Sequence, residues 1–263
     1  MIDITGMLAD LRAEGDDLDG LVAALPAAAW ATATPAEGWT IAHQIAHLAW
    51  TDDQAILAAA DPGAFEAGLA EALTDPGEFV ERGVLEGAAQ EPSVLMAGWR
   101  SARRRMVDAL AVVPAGTRLP WFGPPMSVAS MATARLMETW AHGQDVADAL
   151  GVVRTPTLRL RHVAHIGVRT RDFAFRGRGL TPPAAEFRVA LKAPDGQEWT
   201  WGPAGADQSV TGPALDLCLL VTQRRNRADL ALAAVGADAD RWLDIAQAFA
   251  GPPGPGRPPS PRS

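Results

Sequence analysis

The chain has 263 residues, a formal net charge of −8 at pH 7 and a pI near 5.1. It contains 31 acidic and 23 basic residues, and all of the basic residues except Lys192 are arginines, so the charge balance argues against a nucleic-acid partner. No apolar run reaches the roughly 20 residues of a membrane-spanning helix, and the first residues lack the pattern of a signal peptide. We therefore expect a cytoplasmic protein without membrane contacts, long enough for two domains.

Four long segments in the first 151 residues have the apolar spacing of helices, close to one apolar residue every 3.6 positions. Thr40 and Ser127 precede two of these segments as N-caps, and Gly151 follows the last as its C′ residue. Short helices are expected between the second and third segments, and the Pro- and Gly-rich residues 114–126 indicate a loop. Residues 1–151 are therefore predicted to form a four-helix bundle. The long helices are predicted over residues 3–25, 41–60, 92–113 and 128–150.

After the fourth helix the pattern changes to a mixture of helices and strands, so the whole chain is predicted to be α+β. Residues 187–191 and 198–201 alternate between apolar and polar side chains around a Pro-Asp-Gly turn, which predicts a β-hairpin. Residues 152–250 should form a small α/β domain, and the low-complexity residues 251–263 are expected to be extended or disordered. The remaining predicted elements are a short strand over 207–212 and helices over 158–175, 213–225 and 239–249.

Candidate metal ligands occur as two pairs with a spacing of four residues, His43 with His47 and Glu138 with His142. Side chains four residues apart project from one face of a helix, one turn apart, so both members of a pair can approach one ion. Two such helices in a bundle core would supply nitrogen and oxygen ligands to a divalent transition metal and leave a coordination position open. The spacing is also compatible with ordinary packing histidines and a surface Glu–His pair.

Other polar residues have less specific interpretations. Asp145, on the predicted fourth helix, either orients a ligand or lies on the helix surface. Asp52 is expected to be a solvated or capping residue. Arg100 and residues 103–105 form a cationic group that fits a solvated face or a rim in contact with an anion. Cys218 is the only cysteine, which excludes an internal disulfide, and its apolar neighbours indicate a buried residue rather than a nucleophile.

Motifs in both halves of the chain support a more specific interpretation. They are Gly38-Trp-Thr-Ile41 followed by His47-Leu-Ala-Trp50, then Glu138-Thr-Trp-Ala-His142-Gly-Gln-Asp145, and finally Val210-Thr-Gly-Pro-Ala-Leu-Asp-Leu217 with Arg224. In these motifs the chain resembles the DinB-like superfamily, and within it the mycothiol-dependent maleylpyruvate isomerases of actinobacteria. The resemblance implies a four-helix bundle that holds a divalent metal, usually zinc, through His47, Glu138 and His142. It also implies a small α/β second domain, similar to sterol carrier proteins, that contributes Arg224.

The resemblance implies a class of reaction rather than one substrate. A metal-bound thiolate of mycothiol, or of another low-molecular-weight thiol, would attack a small unsaturated or electrophilic substrate, with Arg224 holding a carboxylate or enolate oxygen. An isomerase would then eliminate the thiol, whereas an S-transferase would retain it. The residues after Val221 are more similar to a group of uncharacterised actinobacterial metal-binding proteins, and Gln223 stands where the isomerases tend to have glycine.

Several alternatives stay open at this level. A non-catalytic, metal-containing protein that binds an apolar small molecule is the alternative to an enzyme. Zinc is the expected metal, but two histidines and a glutamate also accept Ni, Fe or Mn. His43 does not match a usual ligand of the family, so it is interpreted as a packing residue or an indirect support of the site. The protein is expected to be a monomer or a homodimer, and an apolar patch around Trp99 or Trp121 fits either a dimer face or a pocket wall.

Overall fold

A computed structural model describes residues 4–72, 76–251, 254 and 256–260 of the chain. The chain divides into two compact units, Met1–Arg154 and Thr155–Ser263. The described part of the first unit is mainly helical and that of the second contains a mixed sheet, so the predicted α+β class is confirmed. None of the described helices is long and apolar enough to cross a membrane.

Among the described residues, the first unit contains six α-helices: α1 (Ile4–Val22), α2 (Ile41–Ala60), α3 (Pro62–Ala72), α4 (Pro76–Ala88), α5 (Pro92–Ala111) and α6 (Val128–Ala149). The four longest, α1, α2, α5 and α6, coincide with the four predicted long helices. Both α1 and α2 pack against α5 and α6, so each long helix has neighbours from the set on two sides. The short helices α3 and α4 both lie against α2, in the segment for which short helices were predicted. A 3-10 helix at Ala27–Ala31 was not predicted.

Apolar side chains from the four long helices form the core of this unit. Leu18 of α1, Ile45 of α2 and Val146 of α6 are fully buried in one cluster with Trp99 of α5. Burying an aliphatic side chain of this size contributes roughly 1.5–3 kcal/mol. Trp99 is 1% exposed, so it does not form a solvent-facing dimer surface. Its side chain belongs to the core and also lines a cavity between α2, α4 and α5, which agrees with the alternative of a pocket wall.

The arginines of α5 connect this helix to α1. Arg100 Nη2 lies 2.5 Å from Asp19 Oδ1, and Arg103 Nη2 lies 3.1 Å from Asp19 Oδ2. The hydrogen bond from Arg100 and the charges of both arginines outweigh the effect of burial and lower the pKa of the Asp19 carboxyl. Arg104 is exposed. Arg105 Nη1 lies 3.5 Å from Asp53 Oδ1 of α2. The cationic group is therefore only partly the solvated face that was predicted, because three of its four members form ion pairs between helices.

The ends of α6 follow the predicted capping residues. The Ser127 hydroxyl accepts a hydrogen bond from a backbone N–H of the first turn. Gly151 has a φ of 66°, and its N–H and that of the next residue donate to α6 carbonyls, as expected for a C′ glycine. Residues 114–126 are not fully irregular, because β1 (Arg118–Leu119) pairs antiparallel with β2 (Met126–Ser127).

The described part of the second unit contains four α-helices and four strands. The helices are α7 (Leu160–Arg169), α8 (Arg171–Gly177), α9 (Ala214–Val221) and α10 (Ala237–Ile245), and the strands are β3 (Arg188–Lys192), β4 (Glu198–Trp201), β5 (Ser209–Pro213) and β6 (Ala233–Val235). The strand order is β4-β3-β5-β6. The antiparallel pairing of β3 and β4 confirms the predicted hairpin, β5 runs parallel to β3, and β6 is antiparallel to β5.

All three predicted helices of this unit differ from the observed ones at their C-terminal ends. The helix predicted over 239–249 is α10, which ends at Ile245. The segment 158–175 forms two helices, because Thr170 leaves the helical conformation with φ −91° and ψ 8°. The helix predicted over 213–225 ends at Val221, because Gln223 adopts a φ of 58°. The N–H groups of Gln223 and Arg224 then return to carbonyls in the last turn of α9, which is the hydrogen-bond pattern of a Schellman motif.

The described residues of the predicted tail carry no helix or strand. Asn226 Nδ2 donates to the carbonyl of Arg257 at 2.7 Å, and the N–H of Ser260 donates to the Asp229 carboxylate. Residues 252–253, 255 and 261–263 lie outside the described residues, so disorder of the segment stays a prediction.

Candidate metal centre

The structure brings three of the predicted ligands together in the first unit. His47 lies on α2, whereas Glu138 and His142 lie one turn apart on α6, which packs against α2. One potential ligand atom from each of these residues lies within 4.8 Å of the other two. His142 is buried and the other two side chains are only partly exposed, so the group lies neither in the core nor on an open surface.

The separations between the ligand atoms suit a small divalent cation. Glu138 Oε2 lies 3.1 Å from His142 Nε2 and 3.7 Å from His47 Nε2. A tetrahedral zinc ion with bonds of about 2.1 Å places its ligand atoms about 3.4 Å apart. Three protein ligands leave a fourth position open, which distinguishes catalytic from structural zinc sites. The three residues therefore fit a metal ion in both chemistry and spacing.

A chain of hydrogen bonds holds His142 from the other side of its ring. His142 Nδ1 contacts Gln44 Oε1 at 2.5 Å, and Gln44 Nε2 donates to Thr34 Oγ1 at 2.9 Å. The Thr34 hydroxyl in turn donates to the Trp39 carbonyl at 2.9 Å. The Gln44 side chain is fully buried on α2. This chain orients the ring so that Nε2 points towards Glu138.

The indole of Trp39 covers both histidine rings. The centroid of its ring lies 5.9 Å from that of His142, with an interplanar angle of 21° that makes the two rings stacked. The centroid distance to His47 is 5.5 Å and the interplanar angle is 52°. The two imidazole rings are 4.5 Å apart. Aromatic contacts of this kind restrict rotation of both imidazoles and keep water away from one side of the centre.

Glu138 is held in its ionised form. Burial opposes the charge, but hydrogen bonds with His142 and His47, and the attraction of these rings whenever they are protonated, outweigh burial, so the pKa of Glu138 lies well below its usual value. A carboxylate that stays ionised is the form that binds a metal. His47 Nδ1 is buried and has no hydrogen-bond partner in the described part of the chain, so the two histidines are held differently.

His43 does not join the other three residues. Its Nδ1 accepts a hydrogen bond from the N–H of Thr40 at 3.3 Å, so the ring helps to cap the start of α2. This role agrees with the interpretation of His43 as a packing or supporting residue. Asp145 is fully buried, so its interpretation as a surface carboxylate is wrong. The Nδ1 atom of His142 is hydrogen-bonded to the amide oxygen of Gln44, a residue that the sequence analysis did not identify.

A buried ion pair lies on the same two helices. Arg135 Nε donates to Asp52 Oδ1 at 3.1 Å, and the two side chains are 2% and 3% exposed. The expectation that Asp52 is solvated is therefore wrong, since α6 covers it. Burial raises the pKa of Asp52, and the charge and hydrogen bond of Arg135 offset this only in part. The pair connects α2 to α6, the two helices that carry the candidate metal ligands.

Two further residues from the sequence analysis lie in the second unit. Arg224 follows α9 directly, its backbone is fixed by the turn at Gln223, and its Nη1 donates to the Thr222 carbonyl at 2.6 Å. Cys218 is fully buried on α9, and burial raises the pKa of its thiol. Because Cys218 is the only cysteine, the chain has no accessible thiol of its own.

A separate cavity of about 590 Å³ lies between α2, α4 and α5. Its lining includes the aromatic side chain of Trp50 but also charged residues, among them Asp53, Arg82 and Glu86. None of the three candidate metal ligands lines it. The mixed lining does not match the apolar pocket that the binding-protein alternative requires.

Comparisons with known proteins identify the family of the chain. A family model described as mycothiol maleylpyruvate isomerase N-terminal domain matches residues 11–147, and one described as wyosine base formation matches residues 183–235. Two relatives, both uncharacterized proteins of Mycobacterium tuberculosis (strains CDC 1551 / Oshkosh and ATCC 25618 / H37Rv), are 59% identical to the chain over 257 residues. The alignments cover 98% of this chain and 100% of each relative.

Two crystal structures share the fold. They are the mycothiol-dependent maleylpyruvate isomerase, with a TM-score of 0.61 and 16% identity, and a mutant of it, with a TM-score of 0.59 and 15% identity. Each match covers 85% of this chain and 90% of the solved chain. Identities this low establish the fold and leave the reaction to be argued from the site.

The helical first unit, with two histidines and a glutamate at one point, defines a DinB-like protein with a potential metal centre. The chain belongs to the mycothiol maleylpyruvate isomerase N-terminal domain family, and its second half contains a small region with a mixed sheet.

Proposed function

We propose that the protein is a metal-dependent enzyme that uses a low-molecular-weight thiol of the mycothiol type. It would act as an isomerase or an S-transferase on a small unsaturated or electrophilic substrate. The observation that carries this proposal is the convergence of His47, Glu138 and His142 in a chain of this family, because three ligands leave one position for an external group. Zinc is the proposed metal, since two nitrogens and one carboxylate oxygen are typical of catalytic zinc sites.

The residues of the first unit would divide the work between binding and shielding. His47, Glu138 and His142 would hold the metal, which when bound lowers the pKa of a coordinated thiol so that a thiolate is available near neutral pH. Trp39 keeps water away from one side of the ligand rings. The thiol has to come from outside the chain, because the only cysteine, Cys218, is buried.

Arg224 is the group proposed to bind a carboxylate or enolate oxygen of the substrate. A guanidinium suits this role because it offers several N–H donors in a fixed plane and stays charged at all relevant pH values. The turn at Gln223 supports the proposal, since it fixes the backbone of Arg224 directly after α9. We also propose that the second unit, which contains Arg224, is similar to sterol carrier proteins.

A turnover assay tests the proposal. The zinc-loaded protein is mixed with mycothiol and maleylpyruvate, the compound named in the solved relative, and the cis substrate, the trans product and any thioether are followed by NMR. We expect thiol-dependent conversion by the wild type and by His43→Ala, and none by His142→Ala. Arg224→Ala should raise KM or lower kcat without loss of zinc.

The outcome also separates the two candidate functions. A trans product would identify an isomerase, and a thioether that accumulates would identify an S-transferase. Zinc binding without turnover, for maleylpyruvate and for a panel of other electrophiles, would refute the enzymatic proposal and favour a non-catalytic, metal-containing binding protein.

A further inference from the structure

Gln44 contacts the candidate ligand His142 from the side opposite Glu138. Its amide is fully buried and bonds at both ends, to His142 Nδ1 through its oxygen and to Thr34 Oγ1 through its nitrogen. A buried amide that is hydrogen-bonded at both ends has a defined orientation. If its oxygen and nitrogen exchanged places, two donors or two acceptors would face each other.

The orientation of the amide follows from Thr34. A threonine hydroxyl has a single proton, and that of Thr34 is directed at the Trp39 carbonyl, 2.9 Å away. Thr34 Oγ1 can therefore only accept from Gln44, so the NH₂ group of the amide faces Thr34 and the amide oxygen faces His142. The backbone around these residues is fixed as well, because the Thr34 N–H also donates to the Trp39 carbonyl, at 2.8 Å.

The tautomer of His142 follows from the amide. An amide oxygen only accepts, so His142 Nδ1 must carry the proton, and in the neutral ring Nε2 then presents a lone pair. This lone pair faces Glu138 Oε2 at 3.1 Å. Two acceptors at this distance repel each other unless a cation lies between them, either a proton that makes the ring an imidazolium or a metal ion.

We propose that Gln44 is a positioning residue that fixes neutral His142 as the Nδ1–H tautomer and thereby presents Nε2 to a divalent metal. The inference rests on the proposed metal site. It adds to that site a residue that belongs to neither of the two pairs with a spacing of four residues. The two histidines differ in this respect, because His47 Nδ1 is buried without a hydrogen-bond partner in the described part of the chain. His142 is preorganised as a ligand, whereas the His47 ring is held by contacts with Trp39, Glu138 and the His142 ring.

Two variants of Gln44 separate the hydrogen bond from the packing. Gln44→Met keeps the length of the side chain but removes the acceptor, whereas Gln44→Glu keeps an acceptor for Nδ1–H. Gln144→Met is the matched control, because Gln144 is a buried glutamine of α6 whose amide donates to Asp148 instead. Partners that orient a metal-bound histidine are typically worth 10–100-fold in metal affinity.

The test combines two measurements on full-length protein. Zinc affinity is measured by competition with a chromogenic chelator, and the His142 tautomer is read from imidazole ¹⁵N shifts of the metal-free protein at a pH where the ring is neutral. We expect the Nδ1–H tautomer in the wild type and in Gln44→Glu. We also expect Gln44→Met to bind zinc about 10–100-fold more weakly and to lose the single tautomer, while Gln144→Met behaves as the wild type.

Two results would overturn the proposal. The first is an Nε2–H tautomer in the wild type, which is decided without any metal or variant. The second is equal zinc affinity of the wild type and Gln44→Met. If the wild type itself binds no zinc, the metal site and the role of Gln44 towards it are both refuted, whereas zinc binding with an unchanged Gln44→Met refutes the role of Gln44 alone.

Discussion

Removing one member of the buried Asp52–Arg135 pair should destabilise the first unit and weaken the candidate metal centre. At 3.1 Å and an effective dielectric constant of 20, the attraction between the two charges is about 5 kcal/mol. The loss of hydration on burial is several kcal/mol for each ion and offsets most of this attraction. The intact pair therefore contributes little net free energy. Asp52→Ala leaves the charge of Arg135 buried without a partner, so it should lower the free energy of unfolding by about 3–5 kcal/mol.

The double variant Asp52→Leu/Arg135→Met is the control. It replaces the pair with apolar side chains, so its stability should lie within about 1 kcal/mol of the wild type or above it. Burial raises the pKa of Asp52 in the folded protein above its value in the unfolded chain. As the pH rises between these two pKa values, the unfolded state loses its proton first, and the free energy of unfolding of the wild type decreases. The double variant should lack this loss of stability.

Urea denaturation of the three proteins, at pH values from 4 to 7, measures these differences. Because the pair joins α2 to α6, Asp52→Ala should also bind zinc more weakly although it changes no ligand. A cost below about 1 kcal/mol for Asp52→Ala, or a double variant as unstable as the single one, would refute the reasoning.

Three further predictions concern other contacts. Gln223→Gly should raise the free energy of unfolding by about 0.5–1 kcal/mol in urea denaturation, because glycine adopts the φ of 58° without strain; an unchanged or lower value would contradict this. Asp19→Asn should lower it by about 1–2 kcal/mol at pH 7, since Asp19 bonds to both Arg100 and Arg103. Because the pKa of Asp19 is lowered in the folded protein, the wild type loses stability as the pH drops through the ordinary aspartate range. The difference in free energy of unfolding between the wild type and Asp19→Asn should therefore shrink at low pH. A difference that stays constant with pH would refute the ion pair. Zinc affinity should fall as the pH is lowered, because protons compete with the metal for the histidine nitrogens, and chelator competition that shows no such fall would contradict histidine ligation.

The helical part of the fold follows from local patterns in the sequence. Apolar spacing located the four long helices, and the caps at Thr40, Ser127 and Gly151 were predictable because each is set by one or two residues. The end of α9 was not predictable, because the left-handed residue of a Schellman motif is usually a glycine and here it is Gln223. Strand β6 was missed because its Ala-Ala-Val sequence lacks polar and apolar alternation.

The convergence of His47, Glu138 and His142 was predictable from the sequence, but the residues that support them were not. His43 and His47 have equivalent spacing, and the resemblance rather than the spacing separated them; the structure gives the physical reason, since His43 bonds to Thr40 at the start of α2. Gln44 could not be identified, because its role depends on Thr34, which is distant from His142 in sequence, and on the packing of α2 against α6. The burial of Asp52 depends in the same way on Arg135.

The most direct test of the metal centre is elemental analysis of the purified protein beside two histidine variants. His142→Ala removes a candidate ligand, and His43→Ala removes the nearest histidine of α2 that lies outside the three-residue group. We predict about one equivalent of zinc in the wild type and in His43→Ala, and almost none in His142→Ala. Absence of metal from the wild type after reconstitution with zinc, or an unchanged metal content in His142→Ala, would contradict the assignment of His47, Glu138 and His142 as a metal site.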